Sequence, residues 1–297
     1  MNDDMKELLV LGAGGFIGKR FIEMYTDDYD IIPIVSDADG KNPDLSNYDE
    51  LIPIIEKCRS YAILNLAGKS YHSTGDDGGI YESNSLVQLN LHEALRRLGC
   101  NPKIIFCSSS AVYESSTEPV DENTPCMPVN SYAKAKYIQE RVALSYHPSH
   151  HVTIARLFNV IGPFQNENFF IPTLIRRVLQ YRKKEIPEVP LKTLNAMRDF
   201  IYIDDVCSAI KVLIEKGESG GIYNVCTGDG ISIEKVIEII KKLLNTPELP
   251  IKTADDHVRE GINYQVGSYN KLQALGWSPA YDIEESLKRI VGEEYGG

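Results

Sequence analysis

The 297-residue chain carries 31 basic and 42 acidic side chains, a net charge of −11, which argues against a general nucleic-acid or anionic-membrane surface. Its 43% hydrophobic and 25% charged content is ordinary for a globular protein, and the length suits one large α/β unit with or without a smaller lobe. No apolar run has the length of a membrane span or the form of a leader, and the six cysteines make no C-x-x-C pair, so a cytoplasmic, metal-free protein is expected, with Cys107 and Cys226 as buried thiols.

The first predicted strand, Lys6 to Leu11 (KELLVL), runs directly into Gly12-Ala13-Gly14-Gly15-Phe16-Ile17-Gly18 and a helix to about Tyr25. A strand, a glycine turn and a helix set backbone N–H groups around a pyrophosphate. Glycine serves where the chain turns tightly or a side chain would obstruct the phosphate. A second apolar run, Ile31 to Val35, ends at Ser36-Asp37. An acid roughly 20 residues after the glycines can accept from an adenosine ribose. Asp37 is the candidate, and its charge would repel a 2′-phosphate and favour NAD over NADP; Ser36 and the nearby Lys41 leave that choice open.

A helix is expected from Asp44 to about Cys58 with Ser46 as its N-cap, then a strand Tyr61 to Leu66 ending at Ala67-Gly68. Residues 70–79 read as a polar loop, where His72 is a solvated histidine before it is a substrate contact. Ile80 to Leu98 is helical, and Ile104 to Cys107 is a strand that ends in the hydroxyl cluster Ser108-Ser109-Ser110. That is the strand edge where ligands bind in open α/β sheets.

After a loop at 114–130 comes a helical turn, Ser131-Tyr132-Ala133-Lys134-Ala135-Lys136. Tyr132 and Lys136 are four apart and share a helix face. A phenol titrates near ~10, and a neighbouring ammonium lowers that value, so the pair can exchange a proton with a carbinol or carbonyl oxygen. His151 to Phe158 is a further strand, leading into Asn159 and Gly162-Pro163. The alternation indicates a doubly wound parallel sheet over residues 1–165, with a substrate lobe mainly over 166–297 and a stretch near 198–226 returning to the sheet. Beyond it, helices are expected at Pro172–Tyr181, Ile203–Lys216, Ile231–Leu244 (Ser232 as cap) and Asp282–Val291, with strands at Arg198–Phe200 and Ile222–Val225.

Taken together, GAGGFIG at 12–18, NLAG at 65–68, Asn84, SSSAVY at 108–113, SYAKAK at 131–136, RLFNVIGP at 156–163, RDFIYIDDV at 198–206, YNVCTGDGISI at 223–233 and LGWSP at 275–279 stand in a recognisable order. The chain resembles the extended short-chain dehydrogenase/reductases, in particular the NAD-dependent epimerase/dehydratase group acting on sugar nucleotides, over essentially its whole length. The resemblance implies a Rossmann-like sheet and an NAD or NADP cofactor held by Gly12, Gly15, Phe16, Ile17, Gly18, Ala67, Gly68, Asn84 and Lys136. It implies a catalytic set of Ser109, Tyr132 and Lys136, with Ser110 as the alternative serine. Asn159, Arg198 and Arg259, with Ser110, would meet a nucleotide-diphosphate sugar, the two guanidiniums clamping its diphosphate. A homodimer is compatible with it.

The chain departs from the family where dehydratases carry Asp-Glu after the catalytic hydroxyl: Ser110-Ala111 stand there. Val87-Gln88 replace a Gly-Thr pair in the helix of Asn84. The expectation is an NAD(P)-dependent 4-keto-sugar reductase, leaning towards GDP-linked 6-deoxy sugars. A 4-epimerase using the same residues is the first alternative, and a non-enzymatic NAD(P)-binding sensor of the same fold the second. A reductase of steroid-like or phenolic ketones is disfavoured by the cations Arg176, Arg177, Arg182, Lys183 and Lys184.

Overall fold

The computed structural model describes residues 5–35, 43–56, 60–69, 77–191, 193–253 and 264–295. Asp37, Arg259, Ser36, Lys41, His72 and Cys58 lie outside them.

Strands β1 (Lys6–Leu11), β2 (Tyr29–Ile34), β3 (Ala62–Asn65), β4 (Lys103–Ser109) and β5 (His151–Leu157) alternate with helices α1 (Phe16–Tyr25), α2 (Tyr48–Glu56), α3 (Asp77–Leu98) and α4 (Ser131–Ser145). They then lead to β6 (Asn159–Ile161), α5 (Phe170–Arg182), β7 (Val189–Leu191), β8 (Met197–Tyr202), α6 (Ile203–Lys216), β9 (Ile222–Val225), β10 (Gly230–Ser232) and α7 (Ile233–Leu243). The described chain closes with β11 (Ile251–Thr253), β12 (Tyr264–Gln265), α8 (Asn270–Gln273) and α9 (Ile283–Ile290).

Parallel strands joined by helices must be buried on both faces, which is why β1 reads as an unbroken apolar run. The order β2-β1-β3-β4-β5-β9 makes one six-stranded parallel sheet among the described residues. Leu8 and Val10 point to one side with Phe21, Val206 and Ile210; Leu9 and Leu11 point to the other with Leu51, Leu91 and Val152. The twofold alternation of a strand thus feeds two cores, one under α1 and α6 and one under α2, α3 and α4.

Of the stretch 198–226, Ile222–Val225 forms the edge strand beside β5, whereas Met197–Tyr202 joins a smaller sheet with β6, β10 and β12. Chain direction changes between the two: β10 runs antiparallel to β8, while β6 and β12 run parallel to it.

Most predicted elements appear within a few residues of their expected ends, and Ser232 caps α7 by accepting from Lys235 N at 3.1 Å. The start of α2 differs. Its helix begins at Tyr48 instead of Asp44, because the Ser46 hydroxyl is engaged with Asp44 Oδ1 at 2.5 Å and Asn47 Oδ1 accepts from Asp49 N at 3.0 Å. Local side-chain bonds of this kind favour a turn over a helical start.

Candidate active site

The ends of β1, β3 and β4 and the first turns of α1 and α4 converge at the carboxyl edge of the large sheet. Gly12 leaves β1 with φ +78°, and a Cβ there would lie 2.9 Å from the Ala67 nitrogen, so the glycine turn and the chain after β3 fit only without a side chain at this point. A Cβ on Gly18 would come within 2.6 Å of the Gly12 carbonyl, so close packing of α1 on the turn requires that glycine too. Gly14 and Gly15 face outward. Gly15 is the N-cap of α1 with no side-chain cap, and the first turn carries no acid. A helix start left in this way presents backbone donors and positive potential to an anion. Phe16, by contrast, packs inward: its ring stands 3.0 Å from where a Cβ on Gly162 would be.

Asn84 is fully buried and braces the chain after β3. It accepts from Lys69 N at 2.7 Å and donates to the Lys69 carbonyl at 3.3 Å, while Gln139 of α4 donates to its backbone oxygen at 2.6 Å. Gly68, just before, lies next to Lys136: a Cβ there would be 3.8 Å from Nζ.

Helix α4 begins cleanly because Asn130 accepts from Ala133 N at 2.9 Å. That start puts Tyr132 in the first turn and Lys136 in the second. Lys136 is 8% exposed, and its ammonium donates to the Cys107 carbonyl of β4 at 2.9 Å. Burial lowers it to about 8. Ser109 closes β4; its hydroxyl is hydrogen-bonded to Tyr132 and accepts from Ala111 N at 3.2 Å. Ser110 is buried, and its hydroxyl accepts from Gln265 Nε2 at 2.8 Å.

Behind this edge lies a buried ionic group. Glu140, one turn beyond Lys136, receives both Nε and Nη2 of Arg156 at 3.0 and 2.7 Å and the Ser108 hydroxyl at 2.5 Å. The carboxylate ties α4 to β4 and β5 at a fixed rotation, and so fixes which face Tyr132 and Lys136 present.

A cavity of about 660 Å³ opens on the smaller sheet, lined by Asn159, Phe170, Phe200 and Ile233 together with Arg177, Arg198 and Lys252. Burial holds the Arg198 guanidinium below its usual value, so an incoming anion would replace hydration it has already lost. Asn159 donates to the Asp199 carbonyl at 2.9 Å. The Asp199 side chain is fully buried and gathers Thr227 N and Oγ1, Gly228 N and Gly267 N at 2.7 to 3.3 Å. Ser109, Tyr132 and Lys136 are outside the cavity lining, so two adjoining regions of the edge are distinct.

A profile of the NAD dependent epimerase/dehydratase family matches residues 8–226. The chain belongs to this family. It is an enzyme of the extended short-chain dehydrogenase/reductase group, within the branch of nucleotide-sugar reductases, epimerases and dehydratases, and NAD or NADP is its cofactor. GDP-6-deoxy-D-mannose reductase of Pseudomonas aeruginosa is 29% identical over 97% of this chain and 97% of its own. The structure of RMD from Pseudomonas aeruginosa complexed with NADPH superposes with a TM-score of 0.87 at 29% identity, covering 97% of this chain and 98% of that one. UDP-glucose 4-epimerase of Thermus thermophilus in complex with NAD gives 0.84 at 26% identity, over 98% and 99% of the two chains.

For a member of this family the turn fits a dinucleotide: the outward Gly14 and Gly15 leave room, and the uncapped α1 start supplies donors for a pyrophosphate. One expectation is corrected. Lys136 was expected to draw the Tyr132 phenol below its ordinary value; instead burial raises it, and the bond from Ser109 opposes that rise. Burial is the larger cause, with Cys107 adding to it, while the buried Lys136 ammonium is engaged with the Cys107 carbonyl. Gln265, Glu140 and Asn130 carry no expectation in the sequence, and Asp199 stands there only inside the motif at 198–206. Only Asn130 had a local signal, standing just before a predicted helix.

Proposed function

We propose that this enzyme reduces the 4-keto group of a nucleotide-diphosphate sugar, with a GDP-linked 6-deoxy sugar as the favoured substrate. Gly12, Gly15, Phe16, Ile17 and Gly18 would cradle the dinucleotide pyrophosphate, Asp37 its ribose, and Ala67, Gly68, Asn84 and Lys136 the nicotinamide end. Arg198, Asn159 and Arg259 would receive the sugar nucleotide. The cofactor, when bound, supplies hydride to the carbonyl carbon. Tyr132 gives its phenol proton to the carbonyl oxygen as negative charge develops there. Ser109 donates a hydrogen bond to the same oxygen, and Lys136 carries the positive charge that steadies the phenolate left behind.

The observation that carries this reading is the hydrogen bond between Ser109 and Tyr132, a phenol that is protonated at neutral pH at its ordinary value of ~10 and that burial raises further. A phenol held in that state is an acid waiting for an alkoxide, which suits reduction. Ser110-Ala111, in place of the acid pair of the dehydratases, speaks against dehydration. The similarity to GDP-6-deoxy-D-mannose reductase and to GDP-6-deoxy-D-talose 4-dehydrogenase of Aggregatibacter actinomycetemcomitans, 27% identical over 97% of each chain, supports the GDP-linked 6-deoxy sugar. The test is NADH and NADPH consumption with GDP-, UDP-, CDP- and dTDP-linked 4-keto sugars. Stoichiometric oxidation with a GDP sugar is expected. Interconversion of two 4-hydroxy sugar nucleotides with retained cofactor would replace the reductase by an epimerase.

A further inference from the structure

We propose that Gln265 is a positioning residue for the Ser109–Tyr132 pair. It holds the serine turn in place from the strand that neighbours the substrate cavity.

The geometry runs in one direction. Ser109 ends β4 and is followed at once by a 3₁₀ turn, Ser110–Val112. Within that turn the Ala111 N–H donates to Ser109 Oγ at 3.2 Å, which occupies one lone pair of the hydroxyl and leaves its proton to be aimed elsewhere. The turn itself is tied to the other sheet at Ser110, whose buried hydroxyl accepts from Gln265 Nε2 at 2.8 Å. Residues 110 and 265 are 155 apart in sequence, and this bond joins the serine turn to β12; Tyr113, at the far end of the turn, reaches the same segment through Asn224, which bonds the Ser268 carbonyl.

A side chain can position another group only if its own backbone is fixed, and that of Gln265 is. It pairs with Arg198 across β12 and β8. The next residues are held twice over: Val266 O accepts from Val120 N at 2.9 Å, and Ser268 N donates to Val120 O at 2.9 Å. Gly267 N donates to the buried Asp199 carboxylate at 3.3 Å, and a Cβ on Gly267 would lie 2.4 Å from the Phe158 ring, so this segment cannot slide. The glutamine side chain is therefore a fixed anchor for the Ser110 end of the turn, beside the bond of Tyr113 to Asn224 at its other end. A hydroxyl at Ser110 also gives Gln265 an acceptor at the position where the family's dehydratases carry an acid. The same strand pair that offers Arg198 to the cavity thus reaches across to Ser110, the residue next to the serine that bonds Tyr132.

The chemical role rests on the reductase reading above, but the contact can be judged without substrate. Protein labelled with 3-fluorotyrosine would be titrated by ¹⁹F NMR, with the Tyr132 signal assigned by its loss in Tyr132→Phe. Gln265→Met keeps the shape and removes the donor; Ser110→Ala removes the acceptor; Gln265→Glu keeps the contact with the donor reversed, since the serine hydroxyl can give its proton to a carboxylate. With the turn released, the Ser109 bond weakens and Tyr132 should titrate at higher pH in Gln265→Met and Ser110→Ala alike. The double variant should titrate no higher than either single one, because both remove one interaction. Gln265→Met and Ser110→Ala should melt within a few degrees of the parent, which separates a lost contact from a damaged fold. Gln265→Glu, which keeps the contact but adds a carboxylate charge that itself raises a nearby phenol, should titrate above the parent without the tenfold loss of kcat. In turnover, kcat should fall roughly tenfold in Gln265→Met with KM for the sugar nucleotide changed less than about twofold, as for a misplaced acid rather than a lost binding group. Unchanged Tyr132 titration in Gln265→Met, or additive effects in the double variant, overturns the proposal. A parent protein that oxidises no reduced cofactor with any 4-keto sugar nucleotide overturns the reductase reading instead, and leaves the titration to decide on Gln265.

Discussion

The Ser109 hydroxyl at the end of β4 is hydrogen-bonded to the Tyr132 phenol in the first turn of α4, and that bond opposes the rise that burial imposes on the phenol. The two residues come from separate elements held together by the buried Glu140–Arg156 pair and the Ser108–Glu140 bond. Acidity and aim of the phenol are therefore properties of the packed edge, and neither belongs to Tyr132 alone.

Lys136 should show the tension between stability and function. Its amine is buried and lowered to about 8, below the unfolded value near 10.4, so the native state binds the proton less well than the unfolded chain. Stability from this group is present above the unfolded value and is lost as pH falls through about 8. At pH 7 the cost is of order ~3 kcal/mol. Lys136→Met should raise the urea midpoint by an equivalent of about 1–3 kcal/mol while turnover falls by ~10²-fold or more. A destabilised variant would show that the bond to the Cys107 carbonyl matters more than the buried charge.

A second pH effect comes from a buried polar chain that runs from the end of β3 through α3 to the residue before β5. Asn65 Nδ2 donates to Gln88 Oε1 at 2.9 Å, Gln88 Nε2 lies 2.9 Å from His92 Nε2, and the Nδ1 atoms of His92 and His150 lie 2.7 Å apart. Burial and the facing His150 lower His92 to about 3. With an unfolded value near ~6.5, stability is full above that pH and declines as pH falls towards about 3, because the unfolded chain takes up a proton the native state refuses. Between pH 7 and pH 5 this one group should remove about 2 kcal/mol. Denaturant titrations at the two values would measure it; equal stability at both would mean that the pair is charged in the native state.

Asp199 should matter to the substrate region through shape. Its carboxylate holds the Thr227, Gly228 and Gly267 amides. Asp199→Ala would leave those donors unsatisfied in a buried place and should cost ~3 kcal/mol or more. Asp199→Asn keeps the shape, loses one acceptor, and should raise KM for the sugar nucleotide more than it lowers kcat. Thermal melts and steady-state kinetics on the pair would separate the two effects.

How far these features could be read from the chain depends on how local they are. Strand β1 and the glycine turn were legible because an apolar run, Gly12 and Gly18 answer to constraints within one β–α unit. Tyr132 and Lys136 were legible as a pair, since helical spacing alone puts them on one face. The direction of the Tyr132 shift was not, because burial of a phenol depends on β4 and the serine turn packed over it. Gln265 left no local trace, and Asp199 stood in a recognised motif without its role; their partners stand at Ser110, Thr227 and Gly267, brought near only by the packing of the two sheets. Gln88, an odd substitution on the page, proves to be the middle of a buried chain that only the tertiary fold assembles.

The most direct test of the proposed chemistry is single-turnover oxidation of the bound reduced cofactor, NADH or NADPH, by a GDP-4-keto-6-deoxy sugar in Tyr132→Phe, with cofactor affinity measured on the same sample. The account predicts cofactor binding within about twofold of the parent and a hydride-transfer rate lower by ~10²–10⁴-fold, since the phenol supplies the proton but does not hold the dinucleotide. A rate equal to that of the parent would contradict it, and would mean that some other group protonates the sugar oxygen.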